Sequence, residues 1–126
     1  MEAAAPQPEF DRKDQLEQIQ SGLLEGEQLY GVYDAKGGGT GFIALTDRRA
    51  ILQDKSFVGK RIALVSIPYD RIYSVAVLSD ASLAGRFFST SVLHVATGAG
   101  SHEIEFRGAD KARQAHDLIL SNLIQG

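Results

Sequence analysis

Residues 102–107 read His-Glu-Ile-Glu-Phe-Arg, with an apolar side chain at every second position. In an extended chain Ile104 and Phe106 point to one side, and Glu103, Glu105 and Arg107 to the other. One wet face fits antiparallel pairing better than a parallel sheet covered on both sides. Upstream, the same strand character runs for some eighty residues. The spacing predicts strands over Gln28–Asp34, Thr40–Thr46, Ala50–Gln53, Lys60–Ile67, Arg71–Leu78 and Phe87–Thr97, with His102–Arg107 as the seventh. Gly37-Gly38-Gly39, Asp47-Arg48-Arg49 and Pro68 with Asp70 punctuate them.

Helical patterns flank this block. Downstream, Ala112, Ala115, Ile119 and Leu123 form a stripe widened by Leu118, with Asp110 as N-cap. Upstream, Leu16, Ile19 and Leu23 share a face, which predicts a helix from about residue 11 to 24, with Gly26 as its stop. Residues 1–10, with Pro6 and Pro8, read as a disordered tail, and residues 11–126 as one domain. Seven short strands must close or stack to hide their edges, and a terminal amphipathic helix can plug one mouth.

The chain has 126 residues, 44% hydrophobic and 23% charged, which suits one ordinary globular core. No apolar run is long enough to span a bilayer, and acidic Glu2 and Glu9 stand where a signal peptide would be basic. There is no cysteine, hence no disulfide or thiolate chemistry, and the expected location is cytoplasmic. The net charge of −3 is uneven: residues 1–35 hold eight acids and two bases, the remainder eight acids and eleven bases. Neither part has the dense basic cluster of a nucleic-acid binder.

Several stretches together resemble the bacterial pleckstrin-homology-like (PH-like) domains of the YokE-like kind. They are Leu24-Glu25-Gly26-Glu27, then Phe42-Ile43-Ala44-Leu45-Thr46-Asp47-Arg48-Arg49, and Ile67-Pro68-Tyr69 followed by Ile72 and Val75. The resemblance covers about residues 11–126. It implies a mainly β fold with α elements: a PH-like barrel of seven antiparallel strands in two packed sheets of four and three, a C-terminal capping helix and an extra N-terminal helix. It also implies a binding or assembly module without catalysis. Eukaryotic relatives bind phosphoinositides through clustered bases in the first strand–strand loop. Here that loop, Asp34 to Gly39, has Lys36 alone beside Asp34, which argues against such a ligand.

The glycine run from Gly37 to Gly41 precedes a strand rather than a helix, so it reads as a hairpin turn and not a phosphate loop. His94, His102 and His116 lack metal-ligand spacing, and Ser101-His102-Glu103 cannot converge as a triad. No catalytic residue, metal site or cofactor is expected. In the PH-like order the loops after the first, third and sixth strands gather at the end away from the capping helix. Lys36, Lys55, Lys60 and Arg61, with Phe57, would form a candidate binding rim there. Arg48 falls at the opposite end as a turn-holding residue. Phe87-Phe88 on one strand must point to opposite faces, so with Val92 they are candidates for contact with a protein. The expected partner is another protein or a second copy; the alternative is weak membrane or anionic-ligand binding through the basic rim.

Overall fold

The computed structural model describes residues 7–36, 40–55, 62–78, 90–108 and 110–125. Strand β1 (Glu9–Phe10) leads into helix α1 (Lys13–Gln20). Strands β2 (Leu29–Lys36), β3 (Thr40–Thr46), β4 (Arg49–Asp54) and β5 (Ala63–Pro68) follow. A single 3₁₀ turn (Tyr69–Arg71) joins β5 to β6 (Ile72–Leu78). Strands β7 (Thr90–Thr97) and β8 (Gly100–Arg107) precede helix α2 (Lys111–Gln125).

The strands lie in the order β5-β4-β3-β2-β8-β7-β6. All these pairings are antiparallel. Four strands and three meet at a narrow seam, where Ala35 pairs with Phe106 and Lys36 with Glu105. Below that seam the same edge of β2 carries β1, paired in parallel through Glu9–Gly31 and Phe10–Val32. Among the described residues there are therefore eight strands rather than seven, and one pairing is parallel. Glu9 and Phe10, assigned from the sequence to a disordered tail, are strand residues because the diverging sheets leave β2's edge open to them.

In the four-strand half β3 is covered on both faces, which explains why Thr40–Thr46 reads as nearly continuous apolar sequence. Tyr33, Ile43, Leu45 and Leu52 face the main core with Leu93, Val95, Ile104 and Phe106. On the other face Val32, Phe42, Ala44 and Ile51 meet Ile19, Leu16 and Leu23. The N-terminal stripe thus buries itself on its own sheet. Its helix is shorter than predicted. Ser21 Oγ donates to the Gln18 carbonyl (2.7 Å) and the Gly22 N–H turns back to Ile19 (3.0 Å), closing the helix at Gln20. At its start Asp11 is drawn away, accepting the Asp34 N–H at 3.0 Å. Ala112, Ala115 and Ile119 of α2 are fully buried against the main core, as their stripe predicts.

One polar knot fixes the corner from which β4 and β5 run. The Glu27 carboxylate receives Arg49 Nε at 2.8 Å and Nη2 at 2.9 Å, and Thr46 Oγ1 donates to it at 2.7 Å. Thr46 Oγ1 in turn accepts the N–H groups of Arg48 and Arg49, both at 3.0 Å. The buried Tyr69 hydroxyl donates to the Thr46 carbonyl at 2.6 Å. Arg49 also donates to Ser66 Oγ of β5 at 2.9 Å. The side chain that holds this turn is therefore Arg49, not Arg48 as expected. The guanidinium and the supporting donors hold Glu27 down at about 2 against the opposing effect of burial.

Candidate functional site

Strands β5 and β6 end the sheet order, and among the described residues nothing pairs with the outer edge of either. An unpaired edge exposes a row of N–H and C=O groups to any extended chain. Pro68 is tolerated at the end of β5 because an edge strand has no ladder bond to lose there. Exposed apolar side chains stand on these two strands: Leu64 on β5, Tyr73 and Leu78 on β6, with Ile62 just ahead of β5. Tyr73 is 73% exposed, unusual for so large a ring.

A cleft of ≈ 430 Å³ lies alongside β5. The consecutive residues Val65, Ser66, Ile67 and Pro68 line it, and since their side chains alternate between faces, the cleft follows the strand's edge. The opposite wall combines Tyr73 with the β7–β8 hairpin, and Arg71 and His102 supply its charged or titratable groups. The hairpin is held by Thr97 Oγ1, which donates to the Gly100 carbonyl (3.0 Å) and accepts the Ala99 N–H (3.2 Å). Gly100 takes φ +139°, a conformation open to glycine. Ser66 is positioned from behind by Arg49, so the knot and the cleft share a strand.

A second cleft, of ≈ 400 Å³, opens where α1 crosses the outer face of the four-strand half. Its lining is polar and includes Arg12, Gln15, Asp34, Gln53, Lys55 and Arg107. Two of the three cations are matched: Arg12 with Asp14 at 2.8 Å and Arg107 with Asp34 at 3.0 Å. Asp34 also accepts Gln15 Nε2 at 2.8 Å. Gly41 leaves room for the Gln53 amide and the Lys55 stem, both of which a Cβ at that position would strike.

Of the residues expected at a basic rim, Lys36 ends β2 and Lys55 follows β4, on either side of the start of β3 and both exposed. Lys55 lines the polar cleft; Lys36 does not. Phe57, Lys60 and Arg61 lie outside the described residues, as do Phe87 and Phe88. Val92 is half-buried on β7, paired with Leu78 and Glu105. The three histidines are dispersed. His94 sits opposite Glu103, His102 opposite Val95, and His116 Nδ1 lies 2.9 Å from Asp117 Oδ1 on α2. Arg71 and Tyr73 carry no signal in the sequence and gain their meaning only from where the sheet ends. His102 was legible in part, since it shares the inward register of Ile104 and Phe106.

The architecture has a solved counterpart, a pleckstrin homology domain from Shewanella amazonensis SB2B, with a TM-score of 0.65 over 90% of this chain and 99% of that one. This chain has the pleckstrin homology fold. At 22% identity the likeness concerns the fold. No family model matches the sequence, and no curated protein does. In this PH-like domain, as in any fold used for many purposes, function must be argued from the site. No helix among its described residues is long and apolar enough to cross a membrane.

Proposed function

We propose that this chain is a non-catalytic PH-like module of the YokE-like kind that binds another protein, or a second copy of itself, by adding an extended segment to a free sheet edge. One observation carries the reading: among the described residues β5 and β6 both offer unpaired edges bearing exposed apolar side chains, and a cleft runs along β5. Main-chain pairing gives such contacts affinity, and side-chain pockets beside the edge give them selectivity. Residues 11–126, with the β1 arm ahead of them, form the binding unit, and a cytoplasmic partner is expected. Val92, paired with Leu78 of β6, remains a contact candidate, as from the sequence do Phe87 and Phe88.

Capture with the tagged domain, compared with Leu64→Lys and Tyr73→Lys variants, tests this. A protein or further copies of the chain retained by the wild type and lost from either variant supports edge docking. Equal retention by both variants, or a strictly monomeric chain with no protein partner, overturns it.

A second reading, an anionic-ligand or peripheral membrane module, draws on the placement of Lys55 beside Arg12 and Arg107 in the polar cleft. It predicts binding to anionic vesicles that weakens with salt and is lost when Lys36, Lys55, Lys60 and Arg61 are all replaced by Ser. The matched carboxylates Asp14 and Asp34 leave this cleft with little net positive charge, so edge docking is preferred.

A further inference from the structure

The cleft along β5 differs from the polar cleft in its charge. Among the described residues no carboxylate lines it, and Arg71 and His102, with the Tyr73 phenol, are its ionisable groups; both the guanidinium and the imidazole can donate to an anion. Arg71 is free to act. Its side chain is 76% exposed and its one ion pair among the described residues is a loose contact with Asp70 at 4.0 Å, whereas Arg49 is committed on three sides within the knot. His102 is half-buried and makes no hydrogen bond among the described residues. Val65, Ile67, Pro68 and Tyr73 supply an apolar floor.

The course of the chain adds a direction. β5 stops at Pro68, and the 3₁₀ turn Tyr69–Arg71 follows it directly in the chain. A strand laid on the β5 edge therefore runs out of pairing partners where Arg71 stands. A peptide whose own end falls there meets the guanidinium with its last group.

Resting on the edge-docking reading, we propose that the β5 cleft takes the C-terminal end of an extended partner peptide, running parallel to β5. Its last apolar side chain packs on Val65, Ile67 and Tyr73, and its terminal carboxylate is held by Arg71 with His102 beside it. Arg suits this task because its planar fork matches a carboxylate through two parallel hydrogen bonds. Parallel addition has a precedent within the molecule, where β1 joins β2 in the same sense.

The test uses synthetic octapeptides, randomised except for a C-terminal valine and prepared both as free acids and as amides. Peptides retained by the full chain are then measured by fluorescence polarisation. The expected result is enrichment from the free-acid pool, with amidation or Arg71→Gln each weakening binding about tenfold. Equal affinity of acid and amide, with Arg71→Gln unaffected but Tyr73→Lys disruptive, overturns the carboxylate assignment and leaves edge docking standing. Failure of both pools to bind overturns the C-terminal assignment, while the capture comparison decides edge docking separately. Hexanoate binding as tightly as the best peptide would mark a small-molecule acid site and overturn the peptide assignment. The amide comparison needs no variant, so it decides even if Arg71→Gln perturbs folding.

Discussion

Glu27 and Arg49, twenty-two residues apart, meet through two hydrogen bonds of 2.8 and 2.9 Å with the Glu27 side chain fully buried. Removing Arg49 strands the buried Glu27 charge without water, whereas Arg49, 19% exposed, keeps Ser66 Oγ and the Gly22 carbonyl when Glu27 is removed. Arg49→Ala is expected to lower stability by about 3 kcal/mol, and Glu27→Ala by less. The double variant should cost less than the sum of the two, because the stranded charge is gone. Urea unfolding of the four proteins measures this; additive losses would show that the two side chains act separately.

The same pair sets an acid dependence. Glu27 is held at about 2 in the folded chain, below the ordinary 4.5 of a glutamate. Between those values the unfolded chain binds the proton and the folded chain does not, so stability rises with pH there. The Glu27 contribution is complete above about pH 4.5 and fades as pH falls toward 2. Glu27→Gln should flatten the stability profile in that window, measured by thermal unfolding at closely spaced pH values. An unchanged slope would move the acid sensitivity to other carboxylates.

These residues also show what the sequence could and could not disclose. Glu27, Thr46, Arg49 and Tyr69 all belong to the stretches that carry the PH-like resemblance, so the corner was legible as a motif. Its chemistry was not, because the choice between Arg48 and Arg49 depends on which side chain turns back toward Glu27. Alternation along 102–107 separates the inward from the outward side chains of β8, and the α2 stripe marks its buried face. The β1 arm escaped notice because two residues carry no periodicity, and its stability comes from an edge formed by strands far along the chain. The β5 cleft escaped for the same reason: Arg71, Tyr73 and His102 come together only once the sheet order is set.

Gly31 tests how tightly the β2 edge is built. A Cβ at this position would lie 2.6 Å from the Tyr33 hydroxyl oxygen and 2.7 Å from its ring carbon. Tyr33 is fully buried, so its ring has nowhere easy to go. Gly31→Ala should destabilise the chain by about 2 kcal/mol through overpacking. Gly22→Ala is the control, because a Cβ there meets only the Ile19 carbonyl oxygen, at 3.8 Å. Equal midpoints in urea for the two variants would show that the Tyr33 ring yields freely.

Ser91 joins β7 to the start of α2. Its hydroxyl donates to the Gly108 carbonyl at 2.9 Å and accepts the Ala112 N–H at 3.0 Å. That amide is one of the helix-end donors with no partner inside the helix, and it is buried. Ser91→Ala should therefore cost about 1 kcal/mol and speed hydrogen exchange at Ala112 first. Uniform protection across α2 in the variant would mean that another group takes over the cap.

The β1 arm is clipped from the other side by α2. Lys111 lies 3.1 Å from the Asp11 carboxylate and over the Tyr33 ring at 5.4 Å, while the Tyr33 hydroxyl reaches Glu9 at 3.4 Å. Burial, with the nearby Glu9 charge, pushes the Tyr33 phenol up to about 12, so it remains a donor to Glu9 throughout the neutral range. The Lys111 and Asp11 side chains are each about 30% exposed, so their pairing contributes about 1 kcal/mol at most. Lys111→Met keeps the packing stem and removes the charge. Global stability should fall by less than about 1 kcal/mol, while amide exchange at Asp11 and Asp34 accelerates because the Asp11 side chain loses its anchor. If exchange at these two amides matches the wild type, the arm is held by its two strand pairings with β2 alone.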